Sequence, residues 1–258
     1  MNTETVGTVI FSDLDGTLLD ENYSFEVTRS VIARLKALNV PIVLCSSKTR
    51  LEIEYFRTKL GIDAPFISEN GAAIFIPKGY FKLEHCCTRQ TNQYDIVELG
   101  IAYSSIRKKL ERIKKTCTNE IIGFGDMTTE EIAKDTGLTI ELAELAKQRE
   151  YTEPFRHNEE HETELFSAIR KEGLQFINGG KYHHLIGDHD KGKAVLLLKE
   201  LFSKRFKQIK TVGVGNQFND VEMLEAVDIP FLIAKSEEIG KEWEKIICII
   251  NKLSPFVS

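Results

Sequence analysis

Short apolar runs alternate with segments of helical hydrophobic spacing at the start of the chain. Residues 6–12 are rich in β-branched side chains and end in a polar turn, and residues 28–38 then carry apolar side chains three and four positions apart. The same order follows in the apolar run 41–45 and in an amphipathic stretch that stops at Gly61. Strands that alternate with helices usually pair in parallel, with the helices covering the sheet. The pattern therefore predicts an α/β fold built on a Rossmann-like parallel sheet.

The last part of the chain again alternates predicted helices and strands, whereas the middle of the chain has a different pattern. It predicts a helix, a strand, a helix and a strand at residues 193–202, 209–214, 221–226 and 229–233. The middle mixes predicted strands at 94–99, 175–177 and 182–186 with predicted helices at 106–115 and 139–147. We therefore predict one core domain, made of residues 1–82 and 188–258, that is interrupted by an inserted α+β domain at 83–187.

Composition narrows the class of protein. The 258 residues are 42% apolar, which is enough for a large core, but their apolar runs stay well short of a membrane span of ~20 residues. The 34 basic and 39 acidic residues give a net charge of −5, whereas proteins that coat nucleic acid usually carry a basic excess. Five cysteines follow no metal-ligand spacing, and the first residues lack the pattern of a secretion signal. We expect a cytoplasmic protein whose partner is a small molecule, not nucleic acid or a membrane.

Two carboxylates follow the first predicted strand. Asp13 and Asp15 come at the carboxyl end of that strand, the edge at which α/β sheets bind ligands. One carboxylate on such a turn can attack phosphorus as a nucleophile, and the other can donate and accept protons. Gly16 allows the chain to turn sharply. The same pattern opens calcium-binding loops, but the residues that follow do not supply the other EF-hand ligands.

Three further strand ends carry residues that suit phosphate or a metal. Ser46, Ser47 and Lys48 precede the second predicted helix, where they either hold phosphate oxygens or simply cap the helix. Lys191 opens a later helix and can neutralise a phosphoryl group. In the last loop, Asp220 accompanies two asparagines, and oxygen ligands of this kind suit Mg²⁺.

In order and placement, these residues resemble the four motifs of the haloacid dehalogenase superfamily of Mg²⁺-dependent phosphatases. The motifs are residues 13–18 (DLDGTL), Ser46, Lys191 with the following glycine, and residues 219–220. The insertion falls between the second and third motifs, as in members with a C2-type cap domain. The resemblance implies a two-step phosphomonoester hydrolysis with Asp13, Asp15, Ser46 and Lys191 as catalytic residues.

Each of these residues has an implied role. Asp13 would attack phosphorus to form an aspartyl-phosphate intermediate. Asp15 would protonate the leaving alcohol and then activate the water that cleaves the intermediate. Ser46 would hold a phosphoryl oxygen, and Lys191 would offset negative charge.

The implied metal site departs from the family at one position. Mg²⁺ would be held by Asp13, by Asp15 through its backbone carbonyl, and by the last motif with Asn216 and Asp220. That motif normally begins Gly-Asp, whereas this chain has Gly215-Asn216. The metal thereby loses one formal charge from its ligands, although an asparagine carbonyl oxygen still binds Mg²⁺. We expect weaker metal affinity and an active site that still functions.

Four shorter segments narrow the resemblance to the mannosyl-3-phosphoglycerate phosphatases. They are residues 46–50, 66–80, 149–155 and 179–181. The resemblance implies mannosyl-3-phosphoglycerate, a phosphorylated glycoside, as substrate and mannosylglycerate as product. The implied substrate-binding residues are Ser47, Lys48, Arg50, Glu69, Asn70, Gly179, Gly180, Lys181 and Asn219. The two glycines fit an ordinary hairpin turn equally well.

Other functions remain open at this point. One is a phosphatase of glucosyl-3-phosphoglycerate or of a broader range of sugar phosphates. Another is a non-catalytic phospholigand-binding protein, which only Asn216 supports, and a third is a phosphoryl transferase. A zinc site is one alternative for His183, His184, His189 and Asp190, which lie close together in the sequence. They lack an open-site geometry and residues 182–186 alternate like a strand, so we interpret the histidines as surface and core residues.

Overall fold

Two β-sheets with helices packed against them make up the fold. A computed structural model describes residues 6–82, 85–117, 120–158, 162–206 and 208–253. The strands are β1 (Val6–Ser12), β2 (Ile42–Cys45), β3 (Phe66–Ser68), β4 (Ala73–Pro77), β5 (Arg89–Gln90), β6 (Tyr94–Glu98), β7 (Ile121–Gly123), β8 (Glu153–His157), β9 (Gln175–Asn178), β10 (His183–Ile186), β11 (Gln208–Gly215) and β12 (Ile229–Leu232). The α-helices are α1 (Arg29–Ala37), α2 (Arg50–Leu60), α3 (Tyr103–Thr116), α4 (Thr129–Thr136), α5 (Ile140–Lys147), α6 (Glu162–Lys171), α7 (Lys191–Arg205), α8 (Val221–Glu225) and α9 (Ile239–Leu253). None of the helices in these described ranges is both long and apolar enough to cross a membrane.

The larger sheet contains the predicted Rossmann-like part. Its strand order within the described residues is β12-β11-β1-β2-β3-β4-β6-β5. The strands from β12 to β3 are parallel, and β4, β6 and β5 extend the sheet by antiparallel pairing. Helices α1, α2, α7 and α9 contribute buried apolar side chains to the same core. The predicted α/β fold class is confirmed.

The smaller sheet belongs to the insertion and has a separate core. Its strands, in the order β7-β8-β10-β9, are all antiparallel. One apolar cluster lies between this sheet and helices α3 and α6, with Ile106 and Leu165 fully buried. A second cluster joins the sheet to α4 and α5 through Ile132 and Ala143. The insertion is therefore an α+β unit.

One strand that we predicted within the insertion, at residues 94–99, and a short strand that we did not predict both pair with the larger sheet. β6 pairs with β4 over its full length, and β5 pairs with β6. The predicted boundary at residue 83 lies outside the described residues. We propose that the insertion begins at residues 99–102 and ends at 187–190, where a Cβ on Gly187 would lie 3.4 Å from the Ile101 side chain. An alternating strand pattern does not reveal which sheet edge the strand joins, so the sequence alone could not assign β6 to the larger sheet.

Parallel pairing brings the predicted motifs to one edge of the larger sheet. Ser12 at the end of β1 is in register with Leu44 of β2 and Val214 of β11. The next backbone N–H, that of Asp13, donates to the Val214 carbonyl at 2.9 Å. The loops that follow these three strands consequently start beside one another.

Candidate active site

A fully buried lysine joins the loops that follow β1 and β11. The Lys191 ammonium donates to Asp13 Oδ1 at 2.8 Å and to Asp220 Oδ1 at 2.6 Å. Lys191 is the first residue of α7, and Asp190 caps that helix by accepting the Lys193 backbone N–H at 2.7 Å. Buried charges are retained at such positions only when they are paired. These three side chains therefore join the loops that follow β1 and β11 to the start of α7.

Opposing influences act on the pKa of Asp13. Burial raises this pKa most strongly, Lys191 lowers it, and the carboxylates of Asp220 and Asp15 raise it, which leaves it at about 7. Burial lowers the pKa of Lys191, but Asp13 and Asp220 together raise it further, so its net pKa is above the usual value. The lysine is thus charged at neutral pH, and Asp13 titrates there. A cation bound beside Asp13 would lower its pKa and favour the carboxylate.

Asp15 contacts a second buried lysine. Lys48 Nζ lies 3.0 Å from Asp15 Oδ2 and 3.4 Å from Glu52 Oε1, and it also lies over the Tyr23 ring. Burial lowers the pKa of Lys48, but Asp15 and then Glu52 raise it more, so the side chain remains protonated. The Asp15 side chain is 40% exposed. Its carboxylate is therefore held by a cation and still open to a ligand.

The last loop is organised by Asp220. Its Oδ2 accepts the backbone N–H groups of Asn216 at 2.9 Å and Gln217 at 3.1 Å, while Oδ1 accepts from Lys191. A Cβ on Gly215 would lie 2.5 Å from the Asp220 Cβ, so only glycine allows this close approach. Both Asp220 oxygens are occupied in this arrangement. We therefore infer that Asp220, predicted as a metal ligand, orients Lys191 and shapes the loop.

Buried oxygen atoms near Gly16 fit a hard divalent cation. Within the described part of the chain, Asn216 Oδ1 and Asp15 Oδ1 are buried and have no hydrogen-bond partner. The Asn216 amide nitrogen lies against Gly16, where φ is +69° and a Cβ would collide with it. Buried oxygens without a donor are costly, and Mg²⁺ binds such oxygens. The residues present therefore fit Mg²⁺, and we propose that Asp13, the Asp15 backbone carbonyl and Asn216 hold it, which leaves the Asp15 carboxyl group for proton transfer.

Ser46 and Ser47 precede α2 without capping it. The N-cap is Thr49, whose hydroxyl accepts the Glu52 N–H at 3.2 Å while the Glu52 carboxylate accepts the Thr49 N–H at 2.9 Å. The interpretation of either serine as the helix cap is therefore wrong. Ser46 is buried at the sheet edge, where its hydroxyl accepts the Lys48 N–H at 3.3 Å.

Glu69, which we predicted to contact substrate, joins the core to the insertion. Its fully buried carboxylate accepts the backbone N–H groups of Glu150 at 2.8 Å, Tyr151 at 3.1 Å and Thr152 at 2.7 Å. It also accepts the Thr152 hydroxyl at 2.8 Å, and Arg149 Nε lies 3.3 Å away. Both carboxylate oxygens are thus occupied. We infer that Glu69 positions the chain that leads into β8.

Three other predicted site residues of the core are Arg50, Asn70 and Asn219. Arg50 lies where the core meets the insertion, and the two asparagines lie at the edge of the larger sheet. Arg50 Nε donates to Glu150 at 2.9 Å and its Nη1 to Glu54 at 3.1 Å, so its charge is paired across the junction. Asn70 and Asn219 are both buried, and the Asn219 amide donates to Asn70 Oδ1 at 3.2 Å. The structure thereby brings Asn70 and Asn219 together, although they are far apart in the sequence.

A cavity of about 190 Å³ separates Asp15 from the insertion. Four of the predicted substrate-binding residues line it, namely Ser47, Lys48, Gly179 and Lys181. Gly180 turns with φ +84° between β9 and β10, where its N–H donates to Asn178 Oδ1 at 2.9 Å. The hairpin interpretation of the two glycines therefore holds, and Gly179 in addition faces the cavity.

Arg149 and His184 also line this cavity, and the sequence analysis did not select them as site residues. The Arg149 guanidinium is buried and donates to the Ser47 carbonyl at 3.0 Å. Burial, followed by the positive charges of Arg149 and Lys191, lowers the pKa of His184 to about 3, so its imidazole is neutral. Arg149 begins the segment 149–155 that carries part of the family resemblance, and that segment is the signal that could have identified it.

The chain is similar to known hydrolases over most of its length. Residues 10–252 match the family described as haloacid dehalogenase-like hydrolase. A glucosyl-3-phosphoglycerate/mannosyl-3-phosphoglycerate phosphatase from Methanococcoides burtonii is 44% identical over 232 residues, which cover 89% of this chain and 85% of that protein. A mannosyl-3-phosphoglycerate phosphatase from Pyrococcus horikoshii is 37% identical over 246 residues, which cover 95% and 97%. The crystal structure of a haloacid dehalogenase-like hydrolase from Bacteroides thetaiotaomicron matches with a TM-score of 0.65 and 15% identity, covering 93% of this chain and 99% of that one.

The role inferred for Glu69 predicts a large loss of stability on Glu69→Gln. The neutral amide loses one acceptor oxygen and the charge that the three N–H groups and Arg149 bind, so we expect the free energy of unfolding to fall by about 2–4 kcal/mol. Urea unfolding measures this change. Glu150→Gln is the matched control, because its carboxylate is partly exposed at the same junction and should cost less than about 1 kcal/mol. Equal losses in the two variants would contradict the inferred role.

Removal of the buried ammonium should raise the pKa of Asp13. Lys191 is the group that lowers this pKa, so in Lys191→Met the carboxyl should titrate about 1 to 3 pH units higher and be protonated at neutral pH. A ¹³C NMR titration of the Asp13 carboxyl in metal-free protein measures this change. Lys193→Met removes an exposed ammonium from the same helix and should leave the titration unchanged. An unchanged or lower pKa in Lys191→Met would refute the assignment.

Proposed function

This chain is a phosphatase of the haloacid dehalogenase-like hydrolase family, and we propose that it hydrolyses mannosyl-3-phosphoglycerate to mannosylglycerate and phosphate. The predictions of the family and of phosphatase activity are confirmed. One observation carries the proposed chemistry: Asp13 is fixed through one oxygen by Lys191, and Asp15 two residues on faces the cavity below the insertion. The names of relatives at 37–44% identity support the proposed substrate.

In the first proposed step, an oxygen of the Asp13 carboxylate attacks the phosphorus of the substrate. A bond forms between that oxygen and phosphorus, and the bond from phosphorus to the glycerate oxygen breaks. Asp15 gives its proton to the departing alkoxide, which leaves as an alcohol. The Lys191 ammonium holds the other side of the Asp13 carboxylate and offsets negative charge as the phosphoryl group approaches.

In the second proposed step, water cleaves the aspartyl-phosphate. Asp15, now a carboxylate, accepts a proton from the water as its oxygen bonds to phosphorus, and the Asp13 carboxylate is released. Lys48 lies 3.0 Å from Asp15 Oδ2, where it keeps the Asp15 side chain oriented and stabilises the carboxylate once the proton has left. We assign Ser46 to hold a phosphoryl oxygen, because its buried hydroxyl lies in the loop at the same sheet edge.

The proposed cofactor is Mg²⁺, held by Asp13, the Asp15 carbonyl and Asn216. When bound, it supplies the positive charge that lets a carboxylate approach an anionic phosphate. Asp220 contributes through Lys191 and through the backbone of the last loop.

We propose that the cavity next to Asp15 holds the glycosyl and glycerate parts of the substrate. Arg149 and Lys181 bring positive charge to this cavity, and Lys181 also pairs with Asp135. Lys48 lines the cavity too, but Asp15 and Glu52, which also line it, pair with this lysine. The charges of Arg149 and Lys181 suit a carboxylate, and Gly179 exposes backbone to the same space. Glucosyl-3-phosphoglycerate is the second candidate substrate, because the Methanococcoides burtonii relative is named for both compounds. The cytoplasmic location and the lack of nucleic-acid or membrane partners stay predictions.

Asp13→Asn tests the nucleophile. We expect phosphate release from mannosyl-3-phosphoglycerate and from glucosyl-3-phosphoglycerate to fall at least about 10³-fold, since an amide oxygen is a far weaker nucleophile. Asp188→Asn, a change at an exposed carboxylate, should retain full activity. Activity that survives Asp13→Asn would exclude the mechanism, and wild-type protein that binds either compound without releasing phosphate would favour a phospholigand-binding protein.

Asn216→Asp tests the metal site. A carboxylate at this position restores the missing ligand charge, so the Mg²⁺ concentration for half-maximal activity should fall roughly tenfold to a hundredfold. Gln217→Glu adds the same charge at the neighbouring exposed residue and should change the Mg²⁺ requirement much less. Equal effects of the two substitutions would show that residue 216 acts through net charge and not as a ligand.

A further inference from the structure

Two histidines and a glutamate form a cluster on the insertion that the proposed mechanism does not use. His157 ends β8, His183 begins β10, and Glu162 is the first residue of α6. One potential ligand atom of each residue lies within 4.8 Å of the other two. His157 Nε2 lies 3.8 Å from Glu162 Oε1, and the two imidazole centroids are 5.0 Å apart. The residues are separate from the proposed Mg²⁺ ligands.

A hydrogen bond fixes which nitrogen of His157 is available. His157 Nδ1 lies 2.8 Å from the Asn158 backbone carbonyl. A carbonyl oxygen can only accept, so Nδ1 carries the proton and the neutral ring presents a lone pair on Nε2. Metal-binding histidines commonly donate their other N–H to a carbonyl or carboxylate in this way. The nitrogen with the lone pair is the one nearest Glu162.

His183 supplies a second imidazole that lacks a partner. Its Nδ1 is buried and has no hydrogen-bond partner among the residues that the structure describes. Burial, followed by His157, lowers the pKa of His183, so the ring is neutral and can bind a metal. The rings of Phe155, Phe166 and Phe176 lie around it. Glu162 is half exposed and leaves the cluster open to solvent on one side.

We propose that His157, His183 and Glu162 bind a zinc ion. Two neutral imidazoles and one carboxylate are a donor set that Zn²⁺ takes in three-ligand sites, with water as the fourth ligand. Tetrahedral coordination at about 2.0–2.2 Å places donors roughly 3.3 Å apart, so small rotations of these side chains complete the site. The ion would fasten the first turn of α6 to strands β8 and β10. This site does not depend on the proposed phosphatase mechanism.

The experiment compares zinc binding by the full chain and two variants in excess Mg²⁺. Zn²⁺ is titrated against a chromophoric chelator, and thermal unfolding is followed with and without Zn²⁺. Wild-type protein should bind one more equivalent of Zn²⁺ than Glu162→Gln or His183→Gln, or should bind that equivalent at least about tenfold more tightly than either variant. Zn²⁺ should raise its Tm, and the rise should disappear in both variants.

Glu141→Gln is the matched control. It removes a carboxylate from the first turn of α5, another helix of the insertion, and should bind Zn²⁺ as the wild type does. Because Glu162 is half exposed, Glu162→Gln decides the question even if His183→Gln fails to fold. Zinc binding that is equal in wild type and Glu162→Gln, or that is absent from wild type, would overturn the proposal.

Discussion

The contact of one buried ammonium with two carboxylates is the interaction on which the active site depends. Lys191 faces Asp13 and Asp220, and Lys48 in the same way faces Asp15 and Glu52. Each buried lysine therefore contacts two carboxyl groups. Each of these two clusters has more acidic than basic side chains, which gives it an excess of negative charge when the acids are ionised. Such an excess favours a divalent cation at the site.

Carboxylates of the same type have different tasks in this molecule, and their partners distinguish them. Glu69 and Asp220 are fully buried and collect successive backbone N–H groups, the first from residues 150–152 and the second from residues 216–217. Lys191 holds Asp13 as well as Asp220, Lys48 holds Asp15, and the Asp15 side chain remains partly exposed. Carboxylates that accept two or more backbone N–H groups shape loops, whereas one that a flexible cation holds at a cavity can exchange partners during a reaction.

The junction between the core and the insertion combines backbone, polar and apolar contacts. The carbonyl of Ala72, three residues after Glu69 in the sequence, accepts the N–H groups of Leu99 and Gly100. Arg50 and Glu150 add an ion pair, and Leu142 of α5 packs into the core cluster. These contacts hold the insertion over the cavity beside Asp15, so the shape of the cavity depends on the junction.

Local patterns in the sequence determined the α/β rhythm, the fold class and the strand ends that carry Asp13, Ser46 and Asp220. They could do so because parallel strands bring their carboxyl ends to one edge, whatever the rest of the chain does. Lys191 begins α7 after the antiparallel strand β10, and tertiary structure decided its position beside Asp13 and Asp220. Tertiary structure alone decided that β5 and β6 extend the larger sheet, that Glu69 binds residues 150–152, and that His157 meets His183 and Glu162. Each of these outcomes depends on which distant backbone or side chain fills a free edge or donor position. Periodicity and spacing describe only residues that are near one another along the chain. They do not predict contacts between residues that are far apart in the sequence.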